Sequence, residues 1–290
     1  MRMVRGDNLP LAPASQRKPM GIQIAFIGGG NMASAIIQGL VTQGHPVDQL
    51  DVVEPFAEAR DRLTSEFGIR AQAQPGVFLE SAEVVVWAVK PQIFQEAAHQ
   101  TQAHTRSALH LSVAAGIPSQ TIARWLSTER LVRAMPNTPA LIGKGITAFF
   151  ARPCVQDRDR QQVENIVRST GEFLWVDSED KLDAVTALSG SGPAYVFYFM
   201  EAMMAAGADM GLAPEQARQL TLSTFAGASE LARRSEDPPE VLRQRVTSKA
   251  GTTFAAISSM DDSGLKAAFG KALFAARDRA RTMGQEFGSA

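Results

Sequence analysis

The segment Gly28-Gly29-Gly30-Asn31-Met32-Ala33 constrains this chain more than any other. It fits the spacing G-x-G-x-x-A and follows the β-rich run Ile22 to Ile27. It also opens a stretch in which Met32, Ala35, Ile36 and Leu40 share one helical face. Strand, glycine turn and helix in that order suit a dinucleotide. Gly28 permits the tight turn, Gly30 lets the backbone approach a pyrophosphate at the helix N-terminus, and Ala33 is small enough for helix to pack on strand. Asn31 and Met32 open the helix and join Gly28 and Gly30 as candidate cofactor-binding residues. A glycine turn without a ligand is the alternative, and the alternating βα rhythm that follows argues against it.

That rhythm runs to about residue 176. Candidate strands are Ile22 to Ile27, Leu50 to Val53, Glu83 to Val89, Ala108 to Val113, Leu131 to Met135, Ile146 to Phe150 and Phe173 to Val176. Runs such as Val84-Val85-Val86-Trp87-Ala88-Val89 are apolar throughout, as expected of strands covered on both faces in a parallel sheet. The expected fold class is α/β, a doubly wound Rossmann domain followed by an all-α dimerisation domain. After the charged stretch Asp177 to Lys181, Ala- and Met-rich segments take over with helical spacing. The expected domains are a disordered tail over 1–20, a dinucleotide-binding domain over 21–178, and an all-α substrate-binding and dimerisation domain over 179–290. Helix starts are read at Ser191 before Gly192-Pro193, at Pro214, at Asp237 before Pro238-Pro239, and at Thr252-Thr253 after Gly251. The stretch Pro193 to Met210 is apolar on nearly every face, which a second copy of the chain would cover. A homo-oligomer built from dimers is therefore expected.

Composition narrows the partners. Lys and Arg total 29 against 30 Asp and Glu, so the chain lacks the basic excess that a phosphate-backbone binder uses. Nucleic acid is not an expected partner. The tail carries Arg2, Arg5, Arg17 and Lys18 but no apolar core of a signal peptide, and Met3 and Met20 are alternative starts. The most hydrophobic segment, Tyr195 to Ala208, is interrupted by Glu201 and too short to span a bilayer. Together with the single cysteine, Cys154, this points to a soluble cytoplasmic protein without membrane partners. One cysteine and four scattered histidines give no ligand-spaced cluster, so no metal is expected.

Ligands of doubly wound sheets bind beyond the carboxyl ends of the strands, which singles out further residues. Glu54 ends the second strand, where an acid accepts hydrogen bonds from ribose hydroxyls and repels a 2′-phosphate. The cofactor is accordingly NADPH or NADH with a lean toward NADH, although Arg60 or Arg62 could reach a phosphate. Ala88 and Lys90, ahead of Pro91, are placed at the nicotinamide end. Ala115 lies within the small-residue stretch Ser112 to Gly116, which lets the backbone come close to a flat ring, and Asn137 in the rigid loop Arg133 to Pro139 is either a turn former or a cofactor contact. Packing and turn formation are the plainer roles for the same residues.

Together these features resemble the pyrroline-5-carboxylate reductases from residue 22 to about residue 284. The most specific stretch is Asp183-Ala184-Val185-Thr186-Ala187-Leu188-Ser189-Gly190-Ser191-Gly192-Pro193-Ala194-Tyr195, similar to the signature that begins that family's dimerisation domain. Ala88 to Pro91, Arg133 to Pro139, and Thr247-Ser248-Lys249-Ala250-Gly251-Thr252-Thr253 accompany it. The chain departs where the family often has Pro-Gly and here has Lys249-Ala250. It departs also at Glu54, where NADPH-preferring members tend to have a small hydroxyl residue.

The resemblance implies hydride transfer from NAD(P)H to 1-pyrroline-5-carboxylate, giving L-proline, at a site drawing on both domains of interlocked subunits. It implies that Ser248, Gly251, Thr252 and Thr253 hold the substrate carboxylate at a helix N-terminus and that Thr253 hydrogen-bonds the ring nitrogen as the catalytic candidate; N-capping is the competing role. Glu236, Ser189 and Ser191 are secondary candidates for shaping the pocket, with Ser191 read as the cap ahead of Pro193. No histidine among His45, His99, His104 and His110 stands beside a motif that needs an acid, and a protonated imine carries its own proton. A hydroxyacid dehydrogenase of the same plan would resemble its family in a lysine and nearby asparagine on a second-domain helix, yet no asparagine follows Asn165. A non-catalytic dinucleotide sensor is the third reading, and a hydride-transfer assay separates it from the first.

Overall fold

The computed structural model of the chain describes residues 21–288, so the expected disordered tail lies outside the described residues, as do residues 289 and 290. The strands are β1 (Ile24–Ile27), β2 (Leu50–Val53), β3 (Val84–Trp87), β4 (Leu109–Ser112), β5 (Leu131–Met135), β6 (Gly145–Ala151) and β7 (Gly171–Trp175). They form one sheet in the order β2-β1-β3-β4-β5-β6-β7. Between them run α1 (Asn31–Thr42), α2 (Ala57–Phe67), α3 (Pro91–Thr101), α4 (Ser119–Leu126) and α5 (Asp157–Arg168).

Strand alternation sorts the core into two layers, because successive side chains point to opposite faces. Ile24, Phe26, Val84 and Val86 pack with Ile36 and Ile37 of α1, Leu63 of α2 and Val163 and Ile166 of α5. Ala25, Ile27, Val85 and Trp87 pack on the other face with Phe94 of α3 and with Ile122 and Trp125 of α4. Covering on both faces is why the β3 run carries no polar alternation.

The expectation of a parallel sheet needs one correction: β6 runs antiparallel to β5, and β7 then pairs parallel with β6. A parallel return needs a crossover of a dozen or more residues. Residues 136–144, which hold only the 3-10 turn Thr138–Ile142, are too few to make one.

From Lys181 the described chain is helical: α6 (Lys181–Val185), a π-helical turn at Thr186–Gly190, α7 (Gly192–Asp209), α8 (Pro214–Arg234), α9 (Pro239–Arg245), α10 (Thr252–Asp262) and α11 (Leu265–Gly288). Two expected starts differ in detail. α9 begins at Pro239 with Pro238, not Asp237, in the cap position. Ser191 occupies the cap position of α7 but makes no side-chain capping bond; its N–H instead donates to the Thr186 carbonyl at 2.8 Å and closes the π turn. Gly207 is the one buried residue of α7, while Phe197 and Tyr198 stand 57% and 70% exposed, so a single copy leaves this helix largely wet. The last turns of α11 return to the sheet domain, where Met283 packs on Gly116 and Phe287 joins the core beneath α4.

Candidate active site

The carboxyl ends of β1, β2 and β3 meet at the glycine turn. Gly28 adopts φ +97°, and a Cβ there would sit 2.7 Å from the Ala88 carbonyl oxygen, so the β1 exit and the β3 exit touch only because residue 28 is glycine. Gly30 caps α1 and faces open space, with no side-chain capping bond and no acid in the first helical turn. The α1 N–H groups are left for an anion. Ala33 is fully buried against the sheet, which seats the helix close enough to aim those groups at the turn. Asn31 is exposed at the helix start, and Met32 is half-buried on the core.

Glu54 is buried, 6% exposed, and its carboxylate is already committed on both oxygens. One accepts the Gly29 N–H at 2.7 Å and the other the Phe56 N–H at 2.9 Å. Arg62 donates to the Gly29 carbonyl at 3.0 Å, and Arg60 donates to the carbonyls of Glu54 and Pro55. Glu54, Arg62 and the turn therefore form one braced unit, in which Arg62 and the exposed Phe56 line an adjacent hollow.

The other expected cofactor residues border the same edge of the sheet. Ala88 is half-buried with its N–H bonded to the Ile27 carbonyl, and Lys90 is exposed in the cap position of α3 ahead of Pro91. Ala115 is half-buried in the loop after β4. Asn137 has a different occupation: its Nδ2 donates to the Ser189 carbonyl at 3.2 Å, and its Oδ1 accepts the Ile146 N–H at 3.0 Å. It ties the loop after β5 to the π turn of the helical region. A cavity of about 550 Å³ opens there, bounded by Asn137, Ser189, Pro193, Tyr195 and Phe269.

The substrate candidates lie on the helical region. Gly251 donates its N–H to the Ser248 carbonyl at 3.1 Å, closing a tight turn through Lys249 and Ala250. Ala250 takes φ 60° there, a left-handed value that glycine adopts without cost. Gly251 caps α10 without a side-chain bond, and Thr252 and Thr253 are its first two residues. Neither threonine hydroxyl has a hydrogen-bond partner among the described residues. α10 packs on α11, and none of residues 248–253 lines the cavity at Asn137. Glu236 is exposed in the connection from α8 to α9, and the Ser189 hydroxyl is spent on the Val185 carbonyl. Within one chain, then, the structure gathers the dinucleotide candidates and keeps the carboxylate-binding candidates on a separate helix.

His110 is a core residue, not a proton donor. Its Nδ1 accepts the Trp87 indole N–H at 2.9 Å, and its Nε2 sits 3.1 Å from the Thr105 carbonyl. Burial drives its pKa down to about 4 and holds it neutral. No group of three or more His, Cys, Asp or Glu side chains is arranged to hold a metal among the described residues.

Sequence reasoning missed the polar junction between sheet and helices. Arg133 on β5 is buried and pairs with Glu179 at 2.6 Å; Glu179 also accepts both the N–H and the hydroxyl of Ser119, each at 2.5 Å. Its charged surroundings, Asp177 to Lys181, signalled a boundary but not a partner.

Comparison with known proteins covers nearly all of the chain. Residues 179–283 match the family described as pyrroline-5-carboxylate reductase dimerisation, and residues 23–116 match that described as NADP oxidoreductase, coenzyme F420-dependent. A pyrroline-5-carboxylate reductase of Pseudomonas aeruginosa is 42% identical, over 92% of this chain and 98% of its own. Among solved structures, a pyrroline-5-carboxylate reductase from Coxiella burnetii superposes with a TM-score of 0.85 at 37% identity, covering 90% of this chain and 98% of that one. A Plasmodium falciparum pyrroline carboxylate reductase with NADP bound gives 0.82 at 27% identity, covering 91% and 98%.

Proposed function

The chain belongs to the pyrroline-5-carboxylate reductase family, and from that premise we propose that it reduces 1-pyrroline-5-carboxylate to L-proline with a nicotinamide dinucleotide. The observation that carries this reading is a pair of uncapped helix N-termini, at α1 and at α10. Each presents unpaired N–H groups and the positive end of a helix dipole, one suited to a pyrophosphate and the other to a carboxylate.

The residues present fit the dinucleotide. Gly30 leaves open space where any side chain would stand, Gly28 makes the turn, and Asn31 and Met32 begin the helix above it. When bound, the cofactor supplies the hydride. Ala88, Lys90 and Ala115 border the end of the crevice assigned to the nicotinamide. Asn137 is kept there as a cofactor contact through the amide hydrogen and lone pair that its two internal bonds leave over.

Ser248, Gly251 and Thr252 hold the substrate carboxylate at the start of α10, and the Thr253 hydroxyl orients the ring nitrogen. Glu236 shapes the rim. No residue need deliver a proton to a protonated imine, so the protein's work is orientation in a pocket poor in water. Because α10 and the crevice are apart in one chain, the site is completed by a second copy seated on the exposed face of α7, where Phe197 and Tyr198 would be buried. A homo-oligomer of dimers acting in the cytoplasm is the setting we assign.

Glu54 favours NADH, since its fixed negative carboxylate stands beside the turn where a 2′-phosphate would arrive. The test is turnover of racemic pyrroline-5-carboxylate with NADH and NADPH in parallel. Turnover with NADH preferred supports both statements, preference for NADPH keeps the reductase and removes the Glu54 argument, and no turnover with either removes the reductase.

A further inference from the structure

We propose that Glu179 is a positioning residue, which holds the π turn of the helical region against the carboxyl end of β5 and so sets the crevice for hydride transfer. The proposal rests on the reductase reading above.

Three contacts join β5 and its exit loop to residues 179–190. Arg133 pairs with Glu179 at 2.6 Å. Met135 packs on Gly190 so closely that a Cβ at 190 would overlap the Met135 methyl. Asn137 donates to the Ser189 carbonyl at 3.2 Å. Arg133 and Met135 of β5, with Asn137 just beyond it, thus grip both ends of a short segment, and Glu179 is the carboxylate that pairs with Arg133.

Glu179 also caps α4 from outside its own region. Its two oxygens take the Ser119 N–H and hydroxyl, and Ser119 is the first residue of that helix, where a negative charge is favoured. Arg152 on the far side donates to the same Ser119 hydroxyl at 3.2 Å and pairs with Glu129. Arg133 in turn lies in register with Ser112 at the end of β4, directly before the loop that holds Ala115. One carboxylate therefore fixes the loop after β4, the loop after β5 and the entry to the helical region together. A misplacement of about 1 Å at such a junction costs on the order of a hundredfold in rate even without touching the reacting atoms.

The test uses the full-length protein and Glu179→Gln, which keeps the side-chain size and one acceptor oxygen but loses the charge and the second acceptor. We expect kcat with pyrroline-5-carboxylate to fall by about tenfold or more, while dinucleotide Kd, held chiefly at the remote glycine turn, rises by no more than about threefold. Amide exchange at residues 186–191 should quicken. Unchanged kcat, or a loss no larger than the loss of folded protein, would overturn the proposal.

A second variant, Arg133→Met with Glu179→Leu, removes both charges and covers the case in which Glu179→Gln does not fold. Restored folding with low kcat supports positioning; restored kcat contradicts it. Should the parent bind dinucleotide yet fail to reduce the imine, the reductase reading falls. The latch is then judged by exchange alone: faster exchange at 186–191 in Glu179→Gln upholds it, and unchanged exchange removes it.

Discussion

The Glu54 carboxylate accepts the Gly29 N–H at 2.7 Å, so the acid at the end of β2 holds the glycine turn in shape as well as facing the place assigned to the ribose. Removing it leaves the N–H groups of Gly29 and Phe56 without their acceptor, at about 1–3 kcal/mol for a buried donor. Glu54→Ala is therefore expected to weaken NADH by about tenfold and NADPH by less, because the same change removes the charge that opposes a 2′-phosphate, in fluorescence titrations. A variant that weakens NADH alone while NADPH binding improves would reduce Glu54 to a ribose ligand.

Thr253→Ala should lower kcat/KM for the imine by about ten- to a hundredfold, the loss of one hydrogen bond to a charged group. Stability should change by less than about 0.5 kcal/mol, because the hydroxyl caps nothing. If urea midpoints drop while activity per folded molecule is retained, the residue is a cap.

Much of this architecture is written locally in the sequence. Apolar runs mark all seven strands, with ends off by a residue or two: Glu83 to Val89 against the observed Val84–Trp87, and Phe173 to Val176 against Gly171–Trp175. The glycine turn was legible because its chemistry is local. Strand direction at β6 was not, although the shortness of residues 136–144 was an available clue. The Glu179 latch and the clasp of Asn137 on Ser189 join residues 46 to 60 positions apart, and no local pattern encodes such pairs.

Ala250→Gly should stabilise the protein. A residue with a Cβ in the left-handed region costs about 1 kcal/mol, and the greater freedom of glycine in the unfolded chain returns part of that. We expect a net gain of about 0.5 kcal/mol in urea unfolding, with KM for the imine unchanged or lower. A loss of stability would mean that the turn at Ser248 does not hold Ala250 at positive φ.

His110 predicts part of the acid sensitivity. Burial lowers its pKa from 6.5 to about 4 in the folded state, against the weaker upward pull of the Thr105 carbonyl. The unfolded chain binds the proton more readily, so the contribution is complete above pH 6.5 and is lost as pH falls toward 4. It amounts to about 3 kcal/mol. His110→Leu should be less stable than the parent at neutral pH, with Trp87 left without its acceptor, and the gap should narrow as pH drops. Parallel stability curves for the two proteins would contradict this.

The most direct measurement follows the hydride itself. With pyrroline-5-carboxylate and dinucleotide carrying deuterium at the transferable position, the account predicts L-proline bearing one deuterium on the former imine carbon, in amount equal to the cofactor oxidised. Dinucleotide that binds but is never oxidised, or proline formed without the label, would contradict it.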